Sequence, residues 1–273
     1  MKTTIAVRWC AMLAVALSAA SAVAQEVTFA YDFEPGASER HRVKLNQEMD
    51  MGGMAIGYLA DMSVTLKCVS AADGKYAMEM KFDKVDVSTT MGGNVSANPI
   101  GEQLVGQAVT FDVDAIGDVS NIKPVGAFDA WDSAKQMVEP VIDRWYIHLP
   151  NQAVAVGGSW KKDGEKETQS SGSQIVTNST YTFKAMKKEK GRDLAVIDQA
   201  LDSKISGTTT TPVGIYTVDG SGKGKFEILF DPAQSRVVKF KGKIDVSMDM
   251  TPQAGGDLMQ MIVANHFERQ LLE

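Results

Sequence analysis

Cysteine is nearly missing from this chain: of 273 residues only Cys10 and Cys68 carry a thiol. Cys10 falls in a leader-like segment, which leaves Cys68 alone and permits no internal disulfide. A disulfide-stapled scaffold is excluded, so the fold must rest on a hydrophobic core, for which the length suffices. Histidine is almost as scarce. His41, His148 and His266 stand apart, and none belongs to a His, Cys or acid set at ligand spacing, so no zinc motif occurs. Basic blocks are absent too. The 28 Lys and Arg face 34 Asp and Glu, a formal charge of −6 that becomes −8 once Lys2 and Arg8 leave with the leader. Phosphate binding needs clustered Lys and Arg, so nucleic acid is excluded as a partner.

Catalytic motifs are missing as well. There is no G-x-S-x-G nucleophile elbow, no phosphate loop and no dinucleotide fingerprint. Gly220-Ser221-Gly222-Lys223-Gly224-Lys225 lacks the four-residue spacer and the Ser or Thr after Lys. It reads as a hairpin turn. Carboxylates are many but scattered over polar strand faces, and no acid pair stands out. No cofactor and no metal site is predicted. No apolar run reaches the roughly 20 residues that a membrane-spanning helix needs.

What is present begins with an address. Lys2 and Arg8 form a positive start, residues 9–20 are apolar or small, and Ala22-Val23-Ala24 offers an A-x-A cleavage site before Gln25. That order is a Sec-type signal peptide, residues 1–24, and predicts a periplasmic or secreted protein. Cys10 lacks the small-residue run of a lipidated cysteine. Cys68 lies in a strand pattern and is expected to be a small buried apolar residue.

Most of the chain alternates with period two. Val27, Phe29 and Tyr31 do so, then Val43, Leu45, Met49 and Met51. Met54, Ile56, Tyr58, Met62, Val64, Leu66 and Cys68 share one parity, and Tyr76, Met78, Met80 and Phe82 follow. The phase slips to Val85 and Val87, which predicts a bulge near Asp83-Lys84. Val109, Phe111 and Val113 form another strand, as do Tyr181 to Ala185, Phe226 to Phe230, and Val238 to Met250. Gly52-Gly53, Gly92-Gly93 and Gly157-Gly158 mark turns. Residues 159–177 are polar and predict an exposed hairpin. Strands with one dry and one wet face are usually antiparallel.

Two segments have helical spacing instead. Over residues 128–149, Phe128, Trp131, Lys135, Val138, Ile142, Trp145 and Leu149 recur at steps of three and four, with Pro140 inside. Over about 256–273, Leu258, Met261, Ile262 and Leu271 share a side. Sliding the chain by 117 positions lays Thr65-Leu66-Lys67 on Thr182-Phe183-Lys184 and Asp114 on Asp231. Strands, turns and gap lengths then coincide, which predicts an internal duplication. The expected plan is mainly β. Long antiparallel strands form a curved sheet or open barrel, with two similar halves, 25–150 and 151–273, each bearing one amphipathic helix.

Thirteen of the 15 methionines lie beyond the leader, with M-x-M pairs at Met49/Met51, Met78/Met80, Met248/Met250 and Met259/Met261. Thioethers are soft ligands for Cu(I). These methionines, however, share the faces that carry Leu, Val, Phe and Ile, where methionine fills irregular space and adapts to varied partners. An apolar groove is therefore expected between the dry sheet face and the helix over 128–149. Its predicted lining is Met49, Met51, Ile56, Tyr58, Met78, Met80 and Phe82, with Phe128, Trp131 and Trp145 from the helix. A packed core would use the same residues.

Asn46-Gln47-Glu48-Met49-Asp50-Met51-Gly52-Gly53, Leu149-Pro150 and Val156-Gly157-Gly158-Ser159-Trp160 resemble a family of secreted bacterial β-proteins of unknown function. That resemblance covers the mature chain and implies no activity. In plan, the chain is also similar to periplasmic lipoprotein carriers of the Lol type. Neither resemblance assigns a functional residue. The sequence thus predicts an exported, non-catalytic binding protein of the cell envelope for an apolar or acylated, lipid-like ligand. The alternatives are a structural protein that binds an envelope partner, a Met-rich copper binder, and an enzyme with a dispersed site.

Overall fold

The computed structural model describes residues 26–168, 172–211 and 214–272; the leader, with Lys2, Arg8, Cys10 and the cleavage site, lies outside them. In chain order the elements are β1 (Glu26–Val27), β2 (Ser38–Met51), β3 (Met54–Ala72), β4 (Lys75–Met91), β5 (Asn94–Ala97), α1 (Ile100–Leu104), β6 (Ala108–Asp114), β7 (Val119–Pro124), α2 (Trp131–Asp143), β8 (Val154–Ala155), β9 (Ser159–Thr168), β10 (Ser173–Glu189), β11 (Arg192–Thr211), β12 (Gly214–Asp231), β13 (Arg236–Pro252) and β14 (Met259–Leu272). Twelve strands form one antiparallel sheet in the order β7-β6-β4-β3-β2-β14-β13-β12-β11-β10-β9, with β5 beside β4. The edges β7 and β9 are not paired with each other, so the sheet is an open barrel. β1 pairs separately with β8.

Alternation decides which face turns inward. Along β3, Ala60, Met62, Val64, Leu66 and Cys68 are buried, and along β4 Tyr76, Met78, Met80 and Phe82. Ser63 pairs with Lys84 but Val64 with Phe82, so Asp83 is the extra residue of a bulge. The phase change to buried Val85 and Val87 follows from it. Cys68 is buried and free.

The sheet has two unlike ends. At the lower end, tight turns join β3 to β4, β6 to β7, β10 to β11 and β12 to β13. Inside this end the chain packs solid. Residues 27–33 thread within the sheet with Val27, Phe29 and Tyr31 buried, and Trp145, Tyr146, Ile147 and Leu149 enter from the opposite side. The Tyr31 ring meets Tyr146 edge-on at 5.0 Å, and Phe29 meets Phe183 at 5.4 Å. Under β14 the Arg269 guanidinium lies 4.6 Å from the Trp145 ring centre. Beside it Arg236 Nη1 bonds Glu39 Oε1 at 2.7 Å, and Glu39 Oε2 lies 3.1 Å from His41 Nε2.

The offset of 117 carries β2, β3, β4, β6 and β7 onto β9, β10, β11, β12 and β13, and both series keep the same order in the sheet. Hairpin ends 72, 75, 114 and 119 fall on 189, 192, 231 and 236. Asp73 and Gly74 have positive φ, as do Lys190 and Gly191. Asp114 Oδ1 accepts the N–H of Ile116, and Asp231 Oδ1 that of Ala233. β14 stands between the two series, paired with β2 on one side and β13 on the other.

Four expectations need correction. The expected helix over about 256–273 is not there among the described residues, which end at 272; residues 259–272 form strand β14. Its inward parity runs Met259, Met261, Val263, Asn265, Phe267, Arg269 and Leu271, and the polar Asn265 and Arg269 disguise it. The helix over 128–149 is confined to Trp131–Asp143. Beyond it, backbone groups find other partners: Tyr31 Oη accepts the Ile147 N–H at 2.9 Å, and the Leu149 N–H bonds Ile116 O at 2.8 Å. Gly220-Ser221-Gly222 is no turn but the middle of β12. Of the strand expected at residues 27–31, only Val27 pairs, together with Glu26 before it.

Candidate functional site

Above the packed lower end, the inner face encloses a chamber of about 1240 Å³. Four rows of inward side chains cross β2, β14 and β13 and end on β12. Leu45 stands opposite Phe267, Gln47 opposite Asn265, Met49 opposite Val263, and Met51 opposite Met261. On β13, Met261 faces Met248 and Val263 faces Val246. Directly opposed residues on neighbouring strands lie ~5 Å apart, so Met51, Met261 and Met248 form one thioether row.

β12 meets the rows with glycine. Gly220 pairs with Met248, Gly222 with Val246, and Gly224 with Ile244. A Cβ at Gly220 would lie 2.6 Å from Met248 Cγ, and one at Gly224 would lie 2.8 Å from Leu201 Cγ. The glycines leave room for side chains of β11 and β13 to lean together, and Ser221, Lys223 and Lys225 point outward between them. Past β12 the wall turns more polar, with Ser203 and Gln199 on β11 and Thr177 and Ser179 on β10.

Helix α2 covers the chamber. Ala134, Val138, Val141 and Ile142 are buried at helical spacing. The Tyr58 hydroxyl donates to Met137 Sδ at 2.7 Å, tying the helix to β3. Near the end of α2 the chamber wall is charged, with Asp118, Asp143, Arg144, Lys162 and Glu165. Lys162 Nζ bonds Asp118 Oδ1 at 2.9 Å and Glu165 Oε1 at 2.8 Å. Burial opposes the ionised form of Asp118, but the bonds and charges of Lys162 and His148 outweigh it and hold the carboxyl below its usual range. Asp143 is exposed and lines this hollow. Surrounding protein, with Glu167, Glu139 and Glu165 nearby, pushes its pKa up to about 6. Enclosure lowers that of Arg144. No group of three or more His, Cys, Asp and Glu side chains among the described residues is arranged to hold a metal.

Of the residues predicted to line the groove, Met49, Met51 and Tyr58 do so. Ile56 is half-buried beside Met49 and Met91. Met78, Met80 and Phe82 are wholly buried in the packed lower core. Phe128 is buried against the half-buried Trp131, their rings 5.9 Å apart. Trp145 lies under Arg269, away from the chamber. The wall from β10 to β14 was missed, although its signal was there: Met248/Met250 share a parity with Ile244 and Val246, and the Gly-x-Gly-x-Gly of β12 has period two. In the 159–177 hairpin β9 is mostly exposed, as expected, while Lys162, Glu165, Ser173 and Thr177 line the chamber.

No family model and no curated protein sequence matches the chain. Among solved structures, one describing lipid–protein interactions in lipovitellin is similar, with a TM-score of 0.54 and 13% identity. The match covers 89% of this chain and 26% of that one, so the chain spans about a quarter of the lipovitellin chain. At that identity the likeness is one of fold: a large, curved antiparallel sheet.

Proposed function

We propose that this is an exported, non-catalytic binding protein of the cell envelope that holds an apolar or acylated ligand in the chamber. One observation carries the reading. The chamber, about 1240 Å³, exceeds the ~300–1,000 Å³ of ordinary small-molecule pockets, and its back wall is mainly methionine, valine, isoleucine, leucine and phenylalanine, interrupted by the Gln47–Asn265 pair. Interiors are otherwise close-packed, so a void this large on an apolar face is suited to an occupant. Methionine tolerates varied chain shapes. The solved structure of similar fold concerns lipid–protein interactions, which agrees with the reading. The sequence from Lys2 to Ala24 supports export. Met78 and Met80 are sealed in the core, Met49 shares its row with Val263 and Val246, and Met51, Met261 and Met248 make a row of their own that serves here as lining.

The test compares two substitutions in the mature protein. Met49→Trp adds bulk to the chamber wall; fluorescent fatty-acid binding should weaken while stability changes little. Met78→Trp overpacks the lower core and should cost ~1–3 kcal/mol of stability. Wild-type protein that binds no fatty acid, and from which native mass spectrometry finds no co-purified lipid, would refute the reading.

A further inference from the structure

The upper end of the sheet differs from the lower in a way the chamber alone does not require. Here hairpins join β4 to β5, β2 to β3, β13 to β14 and β11 to β12, and these strands are consecutive neighbours in the sheet. Their tips therefore form one arc. The chamber runs up to it, since Met51, Met261, Met248 and Thr209 are all lining residues. Along the arc five exposed side chains are apolar, set beside the polar Asn94, Gln253 and Asp257: Val95 is 70% exposed, Met91 57%, Met54 54%, Leu258 57% and Ile215 48%. Single exposed apolar residues are commonplace, but five on adjacent hairpins around one opening are a concentration of apolar surface at one end of the sheet. Two of the tips turn through Gly52-Gly53 and Gly92-Gly93, all with positive φ. Their apices carry no side chain, so the flanking Met54, Met91 and Asn94 are the outermost exposed groups, with Val95 one position further in.

Charge is arranged to match. No Lys or Arg occurs at 45–66, 85–122, 205–222 or 244–268, whereas the lower turns hold Lys75, Lys190, Arg192 and Arg236. The charges nearest the arc, Asp50, Asp249 and Asp257, are acidic. An anionic surface would be repelled, and a neutral apolar one accepted.

We infer that this arc docks on a zwitterionic lipid surface, so that the ligand passes between membrane and chamber without crossing water. The inference rests on the proposed chamber function and names its partner. Long-chain lipids are sparingly soluble, and a rim that sinks into the interface lets the chain slide from one apolar medium to another. Attachment depends on apolar contact and is therefore insensitive to salt.

The experiment uses the mature protein with phosphatidylcholine vesicles, alone or mixed with phosphatidylglycerol. Wild-type protein should co-sediment with phosphatidylcholine vesicles equally at low and high salt, and less with the anionic mixture. Met54→Asp with Met91→Asp, and separately Val95→Asp, should lower vesicle affinity and the rate of fluorescent fatty-acid pick-up from vesicles. The double variant should lose about tenfold or more, as expected when apolar contacts are replaced by charge. All variants should still bind a short-chain, water-soluble fatty-acid probe with wild-type affinity, which shows that they fold. If wild type binds that probe but neither sediments with vesicles nor slows in the variants, the docking inference fails and the chamber reading stands. Docking fails in the same way if pick-up requires a second protein. If wild type binds no probe at all, the chamber reading itself fails.

Discussion

Lys162 Nζ lies 2.9 Å from Asp118 Oδ1, and this contact spans the gap between the two edges of the sheet. Asp118 directly precedes β7, and Lys162 sits on β9, at the far end of the strand order. His148 Nδ1 joins the same carboxylate oxygen at 3.3 Å. Where a closed barrel would continue its ladder, this one is drawn together by side chains. The exposed edge of β9 carries Lys161, Asp163 and Lys166, charges of the kind that discourage pairing with another chain.

The seam should therefore loosen in acid. Asp118 has a folded-state pKa below its unfolded value, so its contribution is present above the ordinary carboxylate value of ~3.9 and is lost as pH falls through the folded value. Both partners are partly solvated, so the stability at stake is small, ~0.2–1 kcal/mol. Asp118→Asn should speed amide exchange in β7 and β9 at neutral pH while the melting temperature barely moves. Unchanged exchange at both edges would show that the ion pair does not hold them.

Asp143 predicts the opposite sign. Its folded-state pKa, about 6, lies above the unfolded one, so the native state binds the proton more tightly. Stability then declines as pH climbs through that interval and stays reduced above it. Asp143→Asn should raise the melting temperature at pH ~7 and leave it nearly unchanged at pH ~4, where the wild-type carboxyl is already largely protonated. Equal shifts at both values would refute this.

The glycine stripe of β12 sets a third expectation. At Gly224 an added Cβ meets Leu201 Cγ at 2.8 Å and Ile244 Cγ1 at 2.9 Å. Gly224→Val should cost ~1–3 kcal/mol in denaturant unfolding. Pairing it with Leu201→Ala, which clears the nearest atom, should recover part of that loss. If the double variant is simply the sum of two losses, the close approach is not the cause.

Alternation makes the inner and outer faces of β3, β4 and β13 readable from the sequence, and the phase slip locates the bulge at Asp83. Parity cannot say which stretch of a dry face is filled. Met49 and Met78 look alike in sequence. Met78 is covered because residues 27–33 and 145–149 enter the lower end, and these are long-range packings that no local pattern announces. Helical spacing misjudges residues 259–272 for a related reason. Arg269 is tolerated on the inner face because Trp145, over a hundred residues earlier, supplies an aromatic surface for it. Gly220, Gly222 and Gly224 read as a turn because their meaning depends on Met248, Val246 and Leu201 across the sheet.

The position of β14 has a consequence for how the molecule comes into being. β2 begins at residue 38, yet its partner on one flank is residues 259–272, so the pairing closes a loop of more than two hundred residues. Contacts so distant in sequence make folding slow, because chain entropy is lost before they form. Until residues 259–272 have been synthesised, β2 and β13 each expose a row of unsatisfied amides and carbonyls, and the two strand series stay separate. The nascent chain thus passes through a long interval in which those open edges can pair with other chains, and a chaperone that shields extended strands would be needed most during that interval.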